Sequence, residues 1–518
     1  MRLGIDFGTT HTVVAAVDRG NYPVAGFEWG DAVPSTIAAH SGTGELRFGR
    51  EAVASELDPD WVILRSFKRL LQGSGPLSEI AIGARVYTAP QLLTGYLAAL
   101  RDDLRLRSNL GIKKGERLHA AVSVPAHAPN DQRFLTLDAF QRAGFEVETL
   151  LNEPSAAGFE YAHRFRDTLT SRREYVLVYD LGGGTFDASL IHMAGALNEV
   201  ITSIGIARLG GDDMDEAILN LALRKAGSAA PDARARQQLL DECRVQKEAV
   251  GANTRRLVID LDAIGHGSVT LPMAEVAEAC APLVERTIEA LGTVMRDPRR
   301  DEHDTVEWNE LAGLYVVGGA SAFPVVPRRL REQFGNHRVR RSPHPFAATA
   351  IGLATFLDEG KGYELADCLT RHFGVWREAE AGRVVTFDPI FLKDTPLPRK
   401  GSGAIEVVRR YRSAHNIGHF RFVECGALNA DRPDGQVVPW DEIRFPFDPA
   451  LRERSGLADV WIERTADGGR EIEERYACSA NGLFEVTVSV PNEGFSRTYR
   501  IGRPSGAAHQ ETSSRRAT

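Results

Sequence analysis

The sequence predicts an α/β region of about 360 residues, built from two related halves, followed by an antiparallel β domain. Three observations carry this expectation. Short runs rich in Val and Ile alternate with longer helical patterns up to about residue 360. One strand–loop–strand pattern occurs twice inside that region. Beyond about residue 370 the helical period stops and strict two-residue alternation replaces it.

The strand-like runs are Leu3–Ile5, Thr12–Val17, Ala120–Val124, Tyr175–Tyr179 and Leu314–Val317, bounded by Gly, Pro or Asp. Between them, residues 91–106 and 273–295 repeat apolar side chains every three or four positions, which predicts helices. Pro272 stands just before the second, where a helix start tolerates it. The repeated pattern is LGIDFGTTHTVVAAV (3–17) and VYDLGGGTFDASLI (178–191). Each reads as a strand ending in Asp, a tight Gly/Thr turn and a second strand. In the last quarter Phe484, Val486, Val488 and Val490 alternate, and Gly468-Gly469 and Asn481-Gly482 separate the runs. Asn-Gly between alternating strands predicts a hairpin. Residues 503–518 lack apolar periodicity and are expected to be a disordered tail.

Composition narrows the functional class. Hydrophobic residues are 43% and charged residues 25%, which excludes a disordered or collagen-like chain. The net charge of −8 argues against a nucleic-acid partner. Cysteines at 243, 280, 368, 425 and 478 form no C-x-x-C pair, so neither a zinc ribbon nor a disulfide framework is expected, and a reducing compartment is. Asp6 falls where a signal peptide needs an apolar run. The run Ala312 to Pro327 is short for a membrane span and broken by Gly-Gly and Pro. The expectation is a cytoplasmic protein without a membrane segment. Of the 62 basic residues 8 are Lys, a skew read as coding bias, yet it makes a lysine inside a motif stand out.

The two Gly/Thr turns carry the chemistry. Glycine lets successive N–H groups converge on an anion, and the threonines add hydroxyl donors. Gly8-Thr9-Thr10 and Gly182-Gly183-Gly184-Thr185 are such turns. Asp6 and Asp180 end the incoming strands, and Asp187 follows the second turn. Carboxylates beside a phosphate cradle repel the ligand unless a cation lies between, and magnesium typically takes one or two carboxylates plus phosphates. Together the turns describe a clamp around Mg²⁺ and a polyphosphate. Gly318-Gly319, between a buried strand and a helix entered near Pro324, offers close backbone approach or a plain strand-to-helix turn. Gly210-Gly211-Asp212-Asp213 is similar, or is capping alone. Lys68 either holds a phosphate or attacking water, or lies along the surface. Glu153 is a cap or a carboxylate near the metal.

These residues resemble a known family. IDFGTTHT, VSVPAHAPNDQR, LLNEPSAAG, YDLGGGTFDAS, GGDDMDEAI and VVGGASAFP occur in the order and at about the intervals of the seventy-kilodalton heat-shock chaperones, the DnaK family. HFGVWREAEAGRVVTFDPIFLKDTPLPRKG and IEERYACSANGLFEVTV are similar to that family's peptide-binding β-sandwich. The resemblance implies a two-lobed actin-like ATPase with duplicated ribonuclease H-like lobes (1–358), a linker (359–374), an all-β sandwich (375–502) and the tail (503–518). It implies ATP/ADP and Mg²⁺ as cofactors. Thr9, Thr10 and the His11 backbone, beside Gly8, would cradle the β/γ-phosphates opposite Gly182, Gly183, Gly184 and Thr185. Asp6 and Asp180 would hold Mg²⁺ through water with Glu153 nearby. Lys68 would position the attacking water, and Asp187 would orient it or accept its proton. Gly210, Gly211, Lys247, Gly318 and Gly319 would face the nucleoside.

Several positions depart from the family pattern. His11 replaces a common aromatic, and Ala320 and Ala322 stand where Ser and an adenine-stacking Arg are usual. Arg244 and Glu248 exchange the usual signs of charge, and Gly251 replaces a Ser. Weakened nucleotide affinity is expected. The family's acidic, leucine-rich linker is not evident in 358–374, and the residue arching over peptide falls near the charged Arg377-Glu378. A member without the helical lid is expected. The leading expectation is a chaperone-like Mg-ATPase whose lidless β domain binds a polypeptide or protein partner, with a co-chaperone or exchange factor possible. The alternative is a nucleotide-dependent scaffold with weak or no turnover. A metabolite kinase leaves the sandwich hairpin unexplained.

Overall fold

The computed structural model describes residues 1–500 except 57, 72–77, 229, 252, 298–299, 301–304, 381–382, 400, 431, 455 and 466–468. The expected tail at 503–518 and Gly468 lie outside the described residues.

The first sheet contains β1 (Arg2–Phe7), β2 (His11–Ala16), β3 (Val33–Pro34), β4 (His119–Val124) and β5 (Glu146–Asn152), in the order β5-β4-β1-β2-β3. The second contains β6 (Tyr175–Leu181), β7 (Thr185–Ala194), β8 (Leu197–Ala207), β9 (Leu311–Val317), β10 (Val339–Arg341) and β11 (Glu364–Ala366), ordered β10-β9-β6-β7-β8-β11. The sequence echo has a matching topology. β1 pairs antiparallel with β2 and parallel with β4, and β6 pairs antiparallel with β7 and parallel with β9. β6 is buried along its whole length, as a central strand with both faces covered requires.

Helices cover these sheets: α1 (Ala89–Leu106), α2 (Asn130–Arg142), α3 (Glu153–Arg164), α4 (Gly211–Ala226), α5 (Ala233–Glu248), α6 (Met273–Val294), α7 (Val325–Phe334) and α8 (Ala348–Leu357). α1 begins where the Thr88 hydroxyl accepts from the Gln91 N–H, and buries Leu93, Tyr96, Leu97, Leu100 and Leu104 against the first sheet. Pro272 is the cap residue of α6, whose Val276, Cys280, Val284, Leu291 and Val294 pack into the second lobe's core. α8 is buried on almost every side, and its Gly352 touches α3 so closely that a Cβ there would lie 1.8 Å from the Ala156 carbonyl.

The range 359–374 holds a 3₁₀ turn (Glu359–Lys361), the edge strand β11 and the start of a sandwich strand. β11 runs parallel to the start of β8, from Leu197↔Glu364 to Glu199↔Ala366. The sandwich comprises β12 (His372–Ala379), β13 (Val384–Phe391), β14 (Ile405–Arg412), β15 (Ile417–Asn429), β16 (Arg432–Pro446), β17 (Glu471–Cys478), β18 (Phe484–Val490) and β19 (Phe495–Arg500). Its sheets are ordered β13-β12-β15-β16 and β14-β17-β18-β19. Alternation in β18 puts Phe484, Val486, Val488 and Val490 inside, where Phe484 stacks on Phe373 and Phe391. Asn481-Gly482 forms the β17–β18 turn, with Gly482 at φ +69°.

That turn also reaches the first lobe. The Leu150 N–H donates to Asn481 Oδ1 at 3.2 Å, and the Asn130 amide donates to the Gly482 carbonyl. The Asn130 backbone N–H donates to Glu424 Oε2 at 3.0 Å, and Asn152 donates to both Asp367 oxygens at 3.1 Å. All five cysteines are buried and free. No helix of the described residues is long and apolar enough to cross a membrane.

Candidate functional site

The Gly/Thr turn of each lobe opens into one cleft of about 390 Å³. Asp6, Gly8, Thr9, Thr10 and His11 line it from the first lobe; Asp180, Gly182, Gly183 and Thr185 line it from the second. Glu153, Gly211, Lys247, Gly318 and Gly319 also line it. The turns meet directly: a Cβ on Gly183 would lie 1.7 Å from Thr10 Oγ1, and one on Gly184 would lie 2.6 Å from Thr9 Cγ2. Glycine is required there because the opposing turn occupies the space a side chain would need. Gly184 and Gly210 therefore shape the cradle from behind, Gly210 packing on the Gly182 and Gly183 carbonyls. Thr10 Oγ1 is buried and finds no hydrogen-bond partner among the described residues.

Asp6, Glu153 and Asp180 line the floor, and Asp187 lies close to Glu153 and Asp180 without lining the cleft itself. Asp6 accepts from Ser123 Oγ at 2.8 Å, and Asp180 stands opposite Asp187 in the β6–β7 register. Lys68 lies beneath the cleft rather than in it, donating to the Phe7 carbonyl and to Glu153 Oε1 at 3.0 Å. Burial raises the pKa of Asp6, opposed by Lys68, and pushes Glu153 up to about 7. Asp180 is raised well above the carboxylate range by burial, with Glu153, Asp6 and Asp187 adding repulsion. A divalent cation at Asp6 and Asp180 would offset that repulsion. Among the described residues no three or more His, Cys, Asp or Glu converge to hold a metal. Asp6 and Asp180, lining the cleft beside the Thr9, Thr10 and Thr185 hydroxyls, would suit Mg²⁺ shared between carboxylates, water and a ligand's phosphates.

The other end of the cleft differs in character. Arg244, Glu248, Val250, Ala320, Ala322, Phe323, Pro345 and Phe346 line it. Lys247 is buried, donating to the Gly211 carbonyl at 2.7 Å and pairing with Asp215 at 2.7 Å. Arg244 faces Asp212, Asp215 and Asp241, and lost solvation lowers the pKa of His11.

Sequence reasoning passed over Arg65, Ser66, Arg69 and Asp241, which with Asp212 and Asp213 tie the lobes together across the cleft. Arg65 pairs with Asp241 at 3.0 Å, Ser66 donates to Asp212 at 2.9 Å, and Arg69 pairs with Asp213 at 2.9 Å while also donating to the Gly184 carbonyl. Arg69 follows Lys68 directly, so its position was available; its partners lie more than a hundred residues away. Phe346 and His127 also went unremarked. In the sandwich, Arg377 points between the sheets to Glu474 and Asp388, whereas Glu378 stays half exposed near His415 and Arg464.

Two duplicated lobes closing on a glycine-lined, acidic cleft, with a β-sandwich behind them, define the class of the actin-like ATPases. A family model described as "Hsp70 protein" matches residues 71–367, more than half of the chain. The chain belongs to the Hsp70 family. It is 29% identical over 422 residues to proteins named "Chaperone protein HscA homolog" from two strains of Acidithiobacillus ferrooxidans. That alignment covers 77% of this chain and 64% of each relative, so the chain spans somewhat less than two thirds of the length of those relatives.

Proposed function

We propose that this protein is a chaperone-type ATPase that binds Mg-ATP in the interlobe cleft, hydrolyses it slowly, and couples the cleft to a β domain that holds a polypeptide or protein partner. The observation carrying this reading is the mutual contact of the two Gly/Thr turns above the carboxylates of Asp6, Glu153 and Asp180. Backbone N–H groups and Thr hydroxyls suit phosphate oxygens, and the carboxylates suit the accompanying cation.

In this reading Thr9, Thr10 and Thr185 would hold the phosphates, and Asp6 and Asp180 would hold Mg²⁺. Bound Mg²⁺ supplies charge compensation on the transferred phosphoryl group. An ammonium has three protons; Lys68 commits two to Phe7 and Glu153, and the third serves the attacking water. The water oxygen bonds to the γ-phosphorus, the bond to the bridging oxygen breaks, and the water's proton passes to Asp187. Positioning supplies most of the acceleration. The nucleoside lies toward Gly210, Gly211, Lys247, Gly318 and Gly319, in a pocket weakened by Ala322.

A second reading is a nucleotide-dependent scaffold that docks one folded partner. The Arg377–Glu474–Asp388 network favours it, because charged groups fill the sandwich where an apolar side chain would enter. Calorimetry with ATP, ADP and GTP in the presence of Mg²⁺, followed by phosphate release from Asp180→Ala and Lys68→Ala variants, tests the proposal. Binding with turnover lost in both variants supports the ATPase. Retained cellular function in both variants favours the scaffold. Phosphate release that strictly requires a small-molecule acceptor points to a kinase.

A further inference from the structure

His127 lies on the segment joining β4 to α2, between Pro125 and Pro129, and is only 7% exposed. The Ala128 N–H closes a turn onto the Pro125 carbonyl at 3.0 Å, which turns the imidazole toward β7. There Nδ1 lies 3.2 Å from Asp187 Oδ1. The Ala126 backbone N–H donates to the same oxygen at 2.9 Å. Asp187 is itself 1% exposed. Against an ionised carboxylate, which only accepts, this contact requires the proton on Nδ1.

A third element makes room for the pair. Gly205 on β8 is the register partner of Asp187. A Cβ at Gly205 would lie 2.1 Å from His127 Nδ1, 2.6 Å from its Cγ and 2.7 Å from Asp187 Oδ1. No side chain fits there while the imidazole and carboxylate keep this contact.

We infer that His127 is a positioning residue for phosphoryl transfer: with the Ala126 N–H it engages Oδ1 of Asp187, leaving Oδ2 to orient the attacking water and take its proton. The inference rests on the ATPase reading given above. Two donors on one oxygen fix the carboxylate's rotation about its Cβ–Cγ bond, so the second oxygen has one direction in which to point. Such a group acts on the chemical step and leaves the phosphate cradle untouched. His127 is thereby distinguished from the Gly and Thr residues, whose loss weakens binding.

The test compares steady-state ATP turnover of the full chain with that of three variants. In His127→Phe, kcat falls about tenfold or more while KM for Mg-ATP stays within about twofold. His127→Asn, whose amide donates from nearly the Nδ1 position, recovers much of the loss. Gly205→Ala, which displaces the imidazole from another strand, reproduces the His127→Phe pattern. A wild-type kcat in His127→Phe, or a loss confined to KM, overturns the inference. Nitrogen-15 NMR of the histidine imidazoles supplies a readout independent of turnover. The expected result is an Nδ1–H tautomer at His127 that is lost in Asp187→Ala; an Nε2–H tautomer in the unsubstituted protein overturns the contact. A protein that binds Mg-ATP without turning it over defeats the ATPase reading, and the NMR result then decides the geometry by itself.

Discussion

Arg377 and Glu474 join the two sheets of the β-sandwich by a two-point contact, Nη1 to Oε1 at 3.1 Å and Nη2 to Oε2 at 2.8 Å. Glu474 is fully buried, and Arg377 also holds Asp388, which Arg409 shares. Removing one partner of a buried pair leaves an uncompensated charge, at a cost of about 3–5 kcal/mol. Arg377→Met is expected to destabilise the β domain by roughly that amount, and Arg377→Met with Glu474→Val to recover most of it. Urea unfolding followed through the sandwich tryptophans measures both. A double variant as unstable as Arg377→Met would show that the lost stability does not come from an uncompensated Glu474 charge.

A second expectation concerns nucleotide release. The Arg65–Asp241 pair spans the cleft with side chains only 16% and 19% exposed. Arg65→Ala is expected to speed release of a fluorescent ADP analogue about tenfold, equivalent to ~1.4 kcal/mol. Stopped-flow chase with excess ATP gives the rate. An unchanged rate would place the barrier elsewhere.

The close approach of the two turns makes Gly183 intolerant of any side chain. Gly183→Ala is expected to abolish Mg-ATP binding, because its Cβ would enter Thr10 Oγ1 at 1.7 Å. Gly292 on α6 meets nothing within 4 Å. Gly292→Ala is expected to bind normally and to gain about 0.5–1 kcal/mol of stability. Calorimetry and thermal unfolding check the pair.

Stability is expected to depend on pH through Glu424. Burial pushes this carboxyl up to about 7, with Arg371 opposing the shift, against about 4.3 in an unfolded chain. Between those values the folded state keeps a proton that the unfolded state has lost. Its contribution is therefore full at low pH and is lost as pH rises toward 7, by up to the order of 3 kcal/mol. Urea midpoints at pH 5.5, 6.5 and 7.5 should fall with pH, and Glu424→Gln should flatten the slope. Glu160, also pushed up to about 7 by burial, leaves a residual slope. An identical slope in the Glu424 variant would remove the assignment.

Much of this architecture was legible because local chemistry and global fold agree. The predicted helix over 91–106 is α1, and that over 273–295 is α6 to within a residue at its end. The strand ending in Asp6 and the strand ending near Asp180 are both present, with the same neighbours in their sheets. Asn481-Gly482 turns as its dipeptide chemistry requires. What stayed hidden depends on long-range pairing. Lys68 has no local feature that places it under the cleft on Glu153, 85 residues away. The range expected as a linker, 359–374, contains the strand Glu364–Ala366, because an open edge of the second sheet supplies its hydrogen bonds. Arg377-Glu378 reads only as a charged pair at the arch position, and Arg377 turns inward because Glu474 and Asp388 meet it there.

The start of α2 has one further consequence. Its cap residue is Pro129, which offers no side-chain acceptor, and the N–H of Asn130 is met by Glu424 of the sandwich. The helix thus takes the acceptor for its first N–H from another domain. If the sandwich swings away, that N–H loses its acceptor, and fraying begins three residues from His127. One short strip of chain then has two anchorages, one at the β-sandwich and one at the carboxylate beside the cleft.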